Sequence, residues 1–298
     1  MAEQQRATAL GIASRGGKIT WTLMSADPGG PARVHAEGSC ARLDDLRDAS
    51  SPVGNPIAAA SVIGVGCTRM SPALAALAAG TPVVHIDPLE AYLLAPLAGE
   101  APPPFPFVAL VASARLTALV QVEAVGRYAV MGRTRDISAG AVFDKLAWQL
   151  GMDVPGGAAL ERLADFGDPD ACNLPAPAWA AGSLDFSFAE LQAAALERAR
   201  ELEGGPCEQP RADLAASMQA AVVRQLASRA LLALERTAGA TLVLAGGVTR
   251  NAALRHALDP GQPPAQAARA APPRSRRVAA AALLRHLQMA GSTAQTLT

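Results

Sequence analysis

The chain has 298 residues, half of them hydrophobic, so it can bury one large core or two medium ones, and wholesale disorder is excluded. Its 26 basic and 26 acidic side chains cancel, which excludes a long-range field that draws the whole molecule to nucleic acid or to an anionic membrane. Four dispersed cysteines, Cys40, Cys67, Cys172 and Cys207, form no CxxC pair and suggest neither a zinc knuckle nor a dense disulfide framework.

The start, Met1-Ala2-Glu3-Gln4-Gln5, has no basic stretch followed by an apolar run, and no stretch reaches the roughly 18 apolar residues needed to span a bilayer. A soluble cytoplasmic protein is the expectation. Residues 8–12 and 19–23 read as two strands joined by a Gly16-Gly17 turn. Residues 26–60 are rich in Pro, Gly, Ser and Asp without a sustained period and read as loop, with one short helix at 43–47. Strand 59–65, helix 71–79 and strand 82–86 follow, the alternation of a layered α/β domain.

The run Ala101-Pro102-Pro103-Pro104 is a stiff connector, because each ring fixes its own φ and restricts the residue before it. It divides the chain into residues 1–104, completed by 278–298, and residues 105–277. Beyond it the opening pattern recurs as strands 107–112, 116–124 and 128–132, which suggests an internal duplication. Helices are expected at 139–150, 158–166, 188–203 and 212–238, the last stopped by Gly239. Strand 241–245 runs into Gly246-Gly247, a helix starts near Arg250, residues 259–274 lack a period, and a last helix covers 278–289.

Two segments carry candidate chemistry. In Leu242 through Asn251 a strand, two glycines and a helix start place free backbone N–H groups where an anion or a ribose could sit, and Asn251 adds a donor and an acceptor. Such a unit by itself is more often plain turn geometry. In Asp136 through Lys145, Asp144 lies among apolar neighbours without a basic partner at i+4, so it reads either as a ligand for a hydroxyl or as a surface carboxylate beside Lys145. Gly156-Gly157 then allows close approach of a ligand. His35, His85, His256 and His286 never fall at helical metal-ligand spacing. No GxSxG, Walker-type or GxGxxG motif is present. Arg274, Arg276 and Arg277 form the one visible basic cluster, a candidate phosphate contact that is otherwise a solvated helix start.

Six ordered blocks together are far more specific than any one of them: residues 105–110, 136–145, 155–157, 184–188, 211–217, and Ala245-Gly246-Gly247-Val248 with Asn251. With these blocks the chain resembles the TsaD family of tRNA threonylcarbamoyladenosine transferases, also called Gcp-like or glycoprotease-like. The resemblance implies an α/β fold of two ribonuclease-H-like lobes, the actin-like ATPase (ASKHA) fold. It also implies transfer of threonylcarbamoyl from its adenylate to a tRNA adenosine, supported by a bound metal. Asp144, Gly157 and Asn251 stand where the family contacts the nucleoside of the adenylate, with Gly156, Gly246 and Gly247 beside them. Weak adenine-nucleotide binding at these six positions is implied.

The departures from the family are as specific as the matches. Before Leu93-Leu94-Ala95-Pro96 the family carries two metal-binding histidines four apart, where this chain has Pro88 and Tyr92. The metal aspartate near the C-terminus falls near residues 275–277, where Arg276 and Arg277 stand. The Ser-Gly-Gly-His-Thr phosphate turn reads Ser113-Ala114-Arg115-Leu116-Thr117, and the acidic N-terminal site reads Ala13 through Lys18 with no carboxylate. Loss of these groups together leads to the expectation of a pseudoenzyme with no metal, acting through a TsaB-like protein partner or self-association. Whether tRNA is touched stays open. The alternatives are an active metal-independent threonylcarbamoyl or carbamoyl transferase, and a regulatory or scaffold subunit in another pathway.

Overall fold

A computed structural model of the chain describes residues 7–15, 18–27, 31–46, 55–66, 80–99, 101–176, 182–202, 208–237, 240–258 and 274–295. The expected Gly16-Gly17 turn, the helix at 71–79, Gly239, and Cys67 and Cys207 lie outside these residues. The chain divides into two compact units. One comprises Met1–Pro104, Ala124–Arg127 and Pro272–Thr298, the other Phe105–Glu123 and Tyr128–Ala271.

The first unit is built on strands β1 (Ala7–Arg15), β2 (Lys18–Ala26), β3 (Arg33–Cys40), β4 (Val62–Val65) and β5 (Val83–His85), in the order β3-β2-β1-β4-β5. The first three run antiparallel, and β4 and β5 continue the sheet in parallel. Strand β3 falls in the stretch read from sequence as loop. Its Gly, Ala, Ser and Glu content gives little intrinsic β preference, and the ladder with β2 supplies what propensity does not. Gly38 pairs with Trp21, and a Cβ at Gly38 would lie 2.9 Å from the indole, so the missing side chain seats the ring. The helix expected at 43–47 is a single 3-10 turn, Asp44–Leu46.

Helix α1 (Pro88–Leu94), to which the sequence reading assigned no element, is capped by Asp87, whose carboxylate accepts the Leu89 amide at 2.7 Å, and Pro88 opens the first turn. The last helix, labelled α7 below, spans Arg274–Gln295, longer at both ends than expected. It packs on β1, β2 and β4 through Val278, Ala279, Ala280, Ala281, Ala282 and Leu283, all buried. Small side chains permit this approach: a Cβ at Gly64 of β4 would lie 2.6 Å from that of Ala282.

In the second unit, β6 (Phe107–Ala112), β7 (Thr117–Ala124), β8 (Arg127–Arg133) and β9 (Thr241–Ala245) lie in the order β8-β7-β6-β9, with β7 antiparallel and β9 parallel to β6. Both sheets therefore repeat one pattern, in which the first strand sits between its antiparallel hairpin partner and a later parallel strand. The duplication suggested by the two hairpins holds at the level of topology. Strand β6 is buried at every position, Phe107 to Ala112, as a central strand flanked on both sides must be. Helices α2 (Ala139–Gln149), α3 (Gly157–Ala164), α4 (Ala189–Glu201), α5 (Gln209–Arg236) and α6 (Ala252–Leu258) complete the unit. The helix expected near Arg250 is a 3-10 turn, Val248–Arg250, followed by α6.

Candidate functional site

The geometry of the second unit begins at the start of α2. Ser138 caps the helix by accepting the Ala141 amide at 3.3 Å, and its hydroxyl donates to the Ala114 carbonyl at 2.8 Å. The Ala139 amide donates to Thr117 Oγ1 at 2.9 Å, and the Gly140 amide to the Ser113 carbonyl at 3.2 Å. A Cβ at Gly140 would lie 2.6 Å from the backbone of Ser113 and Ala114, so only glycine admits this contact. The first turn of α2 is thus fastened to the turn between β6 and β7.

That turn is also closed on itself. Ser113 Oγ accepts the amides of Leu116 at 3.1 Å and Arg115 at 3.4 Å, and the Ser113 amide donates to the Leu116 carbonyl at 2.8 Å. Ser113 is 6% exposed. The N–H groups of Arg115 and Leu116, which a phosphate-binding turn would present outward, are bound to their own serine.

One face of α2 is apolar, with Val142, Phe143, Leu146 and Ala147 buried. Asp144 is half-buried and accepts the Gly156 amide at Oδ1, 2.9 Å away. The carboxylate thereby holds the loop that leads into α3, a contact that spacing did not show. Gly156 has a packing reason of its own, since a Cβ there would lie 2.1 Å from that of Ala147. Gly157 differs, because its missing Cβ would meet nothing within 4 Å.

From α3, Glu161 Oε1 accepts the Ala252 amide at 2.7 Å at the start of α6. This bond joins the Gly156-Gly157 loop and helix to the Gly246–Asn251 segment, and sequence reasoning missed it. Spacing carries a signal only within α3, where Glu161 lies one turn beyond Gly157. Asn251 is 7% exposed and uses both ends of its amide, Oδ1 accepting from Leu254 N at 3.0 Å and Nδ2 donating to Gln219 Oε1 at 2.7 Å. Gly246 has φ +105°, and a Cβ there would lie 2.1 Å from the Ala112 carbonyl oxygen. Gly247 is exposed, and nothing lies within 4 Å of the Cβ it lacks. All six expected positions thus lie in this unit, and Gly157 and Gly247 are the two whose missing side chains leave open space.

Two further carboxylates organise the neighbouring loop. Asp136 accepts the amides of Ile137, Phe188 and Ala189 and the hydroxyl of Ser187. Burial raises its pKa, but the hydrogen bonds from Ser187, Phe188, Ile137 and Ala189 outweigh that effect and hold it below the usual carboxylate value. Asp185 is lowered in the same way, with burial opposed by the Arg133 amide and by Arg135. A cavity of about 720 Å³ opens between residues 169–176 and α5, reaching Arg224, Gln225 and Arg229, and none of the six expected residues lines it.

In the first unit, Tyr92 faces Arg277: the guanidinium carbon lies 4.3 Å from the ring centroid, and Nη2 donates to the phenol oxygen at 3.4 Å. Arg276 pairs with Glu37 at 2.9 Å. Of the three arginines read as a candidate phosphate contact, Arg276 and Arg277 are therefore engaged within the chain; the side chain of Arg274 lies outside the described residues. Pro88 has no side-chain donor atom, Tyr92 offers a phenol in place of an imidazole, and the Arg277 guanidinium sits against it, so this donor set does not fit a divalent metal. Among the described residues, no group of three or more His, Cys, Asp or Glu is placed to hold a metal ion.

A family model described as TsaD, tRNA N6-adenosine threonylcarbamoyltransferase, matches residues 64–280. The chain belongs to the TsaD family. A relative from Methylibium petroleiphilum with that name is 48% identical over 69% of this chain and 58% of its own length. One from Bordetella petrii with the same name is 44% identical over 72% of this chain and 62% of its own. The chain therefore matches less than two thirds of the length of these TsaD relatives. Among solved structures, full-length HypF in a phosphate- and nucleotide-bound form has a TM-score of 0.58 at 10% identity, over 96% of this chain and 57% of that one. Component A of the Acidaminococcus fermentans (R)-2-hydroxyglutaryl-CoA dehydratase has a TM-score of 0.51 at 15% identity, over 96% of this chain and 99% of that one. These likenesses show the actin-like ATPase type of α/β fold. The TsaD match spans all six expected nucleotide positions together with Pro88, Tyr92 and Arg277. Among the described residues, no helix is long and apolar enough to cross a membrane.

Proposed function

We propose that this chain is a non-catalytic TsaD relative that keeps the fold, binds adenine nucleotide weakly, holds no metal, and acts in the cytoplasm through a protein partner, TsaB-like or a second copy of itself. The observation that carries this reading is the turn at Ser113, whose Arg115 and Leu116 amides are taken by the Ser113 hydroxyl and whose Ser113 and Ala114 carbonyls fasten α2. Acyl transfer from an adenylate needs its phosphate held in a fixed pose while charge develops on it, and loss of one such donor costs roughly 100- to 1000-fold in rate. Here a turn whose Arg115 and Leu116 amides are bound internally coincides with Pro88 and Tyr92 at the two positions where the resemblance implies metal ligands. The combined loss exceeds what a residual transferase tolerates, even allowing for non-additivity.

The open faces at Gly157 and Gly247 support retained nucleotide binding without turnover. The deciding experiment is complementation of cells depleted of their own TsaD, followed by mass spectrometry of digested tRNA. The expected result is no threonylcarbamoyladenosine above background. Clear modification would overturn the reading in favour of a metal-independent transferase.

A further inference from the structure

Helix α7 meets the rest of its unit through an apolar stripe and three guanidinium groups. Arg276 reaches Glu37 on β3 at 2.9 Å, and Arg285 reaches the buried carboxylate of Glu90 on α1 at 2.8 Å. Between them Arg277 lies over the Tyr92 ring and donates to its hydroxyl. Tyr92 is one of the two α1 positions at which the resemblance implies a metal-binding imidazole, and Pro88, the other, supplies no donor. The cation that the TsaD resemblance implies at Tyr92 is therefore provided by the protein.

We propose that Arg277 is a resident cation that replaces a bound metal at α1, so that α7 is docked by arginines and the docking is independent of divalent ions. Three properties of the pair carry this. A guanidinium keeps its charge across the physiological pH range, so it does not compete with protons as a metal ligand set does. Its flat face matches the negative face of the phenol ring, and its Nη2 donates to the phenol oxygen. Its charge also repels a divalent ion from the phenol oxygen, the one donor atom that Pro88 and Tyr92 offer between them. This inference is separate from the non-catalytic reading, since it concerns how the unit is held together and is read without any activity assay.

The test uses the full chain and thermal and urea unfolding. For the natural sequence, the expected outcome is substoichiometric iron and zinc by elemental analysis, and an unfolding midpoint unchanged by EDTA or by added Fe²⁺ or Zn²⁺. Arg277→Met and Tyr92→Leu should each raise the unfolding equilibrium constant about 2- to 5-fold, the range of an exposed cation–π pair. The double variant should be no worse than the worse single one. Arg277→Lys, which keeps the charge and loses the planar fork, should recover part of the loss, and Tyr92→Phe, which keeps the ring, most of it. One metal per chain with a chelator-sensitive midpoint would overturn the proposal. So would fully additive losses in the double variant, or an Arg277→Met chain as stable as the natural one.

Discussion

Asp144 accepts the Gly156 amide at 2.9 Å, so a carboxylate expected to contact a nucleoside also anchors the loop on which two of the expected glycines sit. Asp144→Ala leaves the buried Gly156 amide without its acceptor and should destabilise the chain by about 1–3 kcal/mol. Asp144→Asn keeps an acceptor oxygen in place and should lose less than half as much. Urea unfolding of the two variants measures the difference, and equal losses would show that the hydrogen bond contributes nothing.

Gly246 and Gly247 adjoin in sequence and should respond oppositely to the same change. At Gly246, φ is +105° and a Cβ would fall 2.1 Å from the Ala112 carbonyl oxygen, so Gly246→Ala should lose about 2 kcal/mol or more. Gly247 has φ −70° and open space beside it, so Gly247→Ala should stay within about 0.5 kcal/mol of the natural chain. If adenine nucleotide binds across this face, Gly247→Ala weakens binding without weakening the fold, and calorimetry with ATP reads that separately.

Asp136 and Asp185 fix the direction of the acid response. Both have folded pKa values held below the unfolded value of about 3.9. Their contribution is therefore fully present above that unfolded value and is lost as pH falls from it through the lower folded values. The thermal midpoint should accordingly drop on acidification from about pH 4 downward. Asp136→Asn should be less stable than the natural chain at pH 7, with the gap narrowing by pH 3. A constant gap over that range would mean that Asp136 acts by shape and not by charge.

Asn251 should behave as a helix cap before it behaves as a ligand. Its Oδ1 accepts the Leu254 amide and its Nδ2 donates to Gln219. Asn251→Ala should destabilise by about 1 kcal/mol, the usual size for losing such a cap. Asn251→Asp keeps the capping oxygen and puts a second oxygen, in place of Nδ2, opposite the acceptor oxygen of Gln219, and Gln219→Lys should recover stability in that background. Circular dichroism melts of the three chains test this.

The sequence by itself determined the family and most of the elements. Six ordered blocks gave the first, and periodicity with Gly and Pro punctuation gave strands β6 and β9 and the frame of helices α2 to α5. These signals are local, set by residues within a turn or a strand of one another. The residue types at Pro88, Tyr92 and residues 113–117 were legible for the same reason, as departures from the pattern that the resemblance implies. Tertiary structure alone decided which partner each side chain takes. Strand β3 exists because β2 offers a ladder and Trp21 a surface for Gly38, 17 positions away in sequence. Helix α2 is fastened to the Ser113 turn by bonds from Ser138, Ala139 and Gly140, more than 20 residues away. Asp144, Glu161 and Asn251 acquire structural acceptor roles from amides 12, 91 and 3 residues away. Arg277 finds Tyr92 across 185 residues. A hydrogen bond or cation–π contact depends on where two groups meet in space, and residue type and spacing along one chain fix that only for close neighbours.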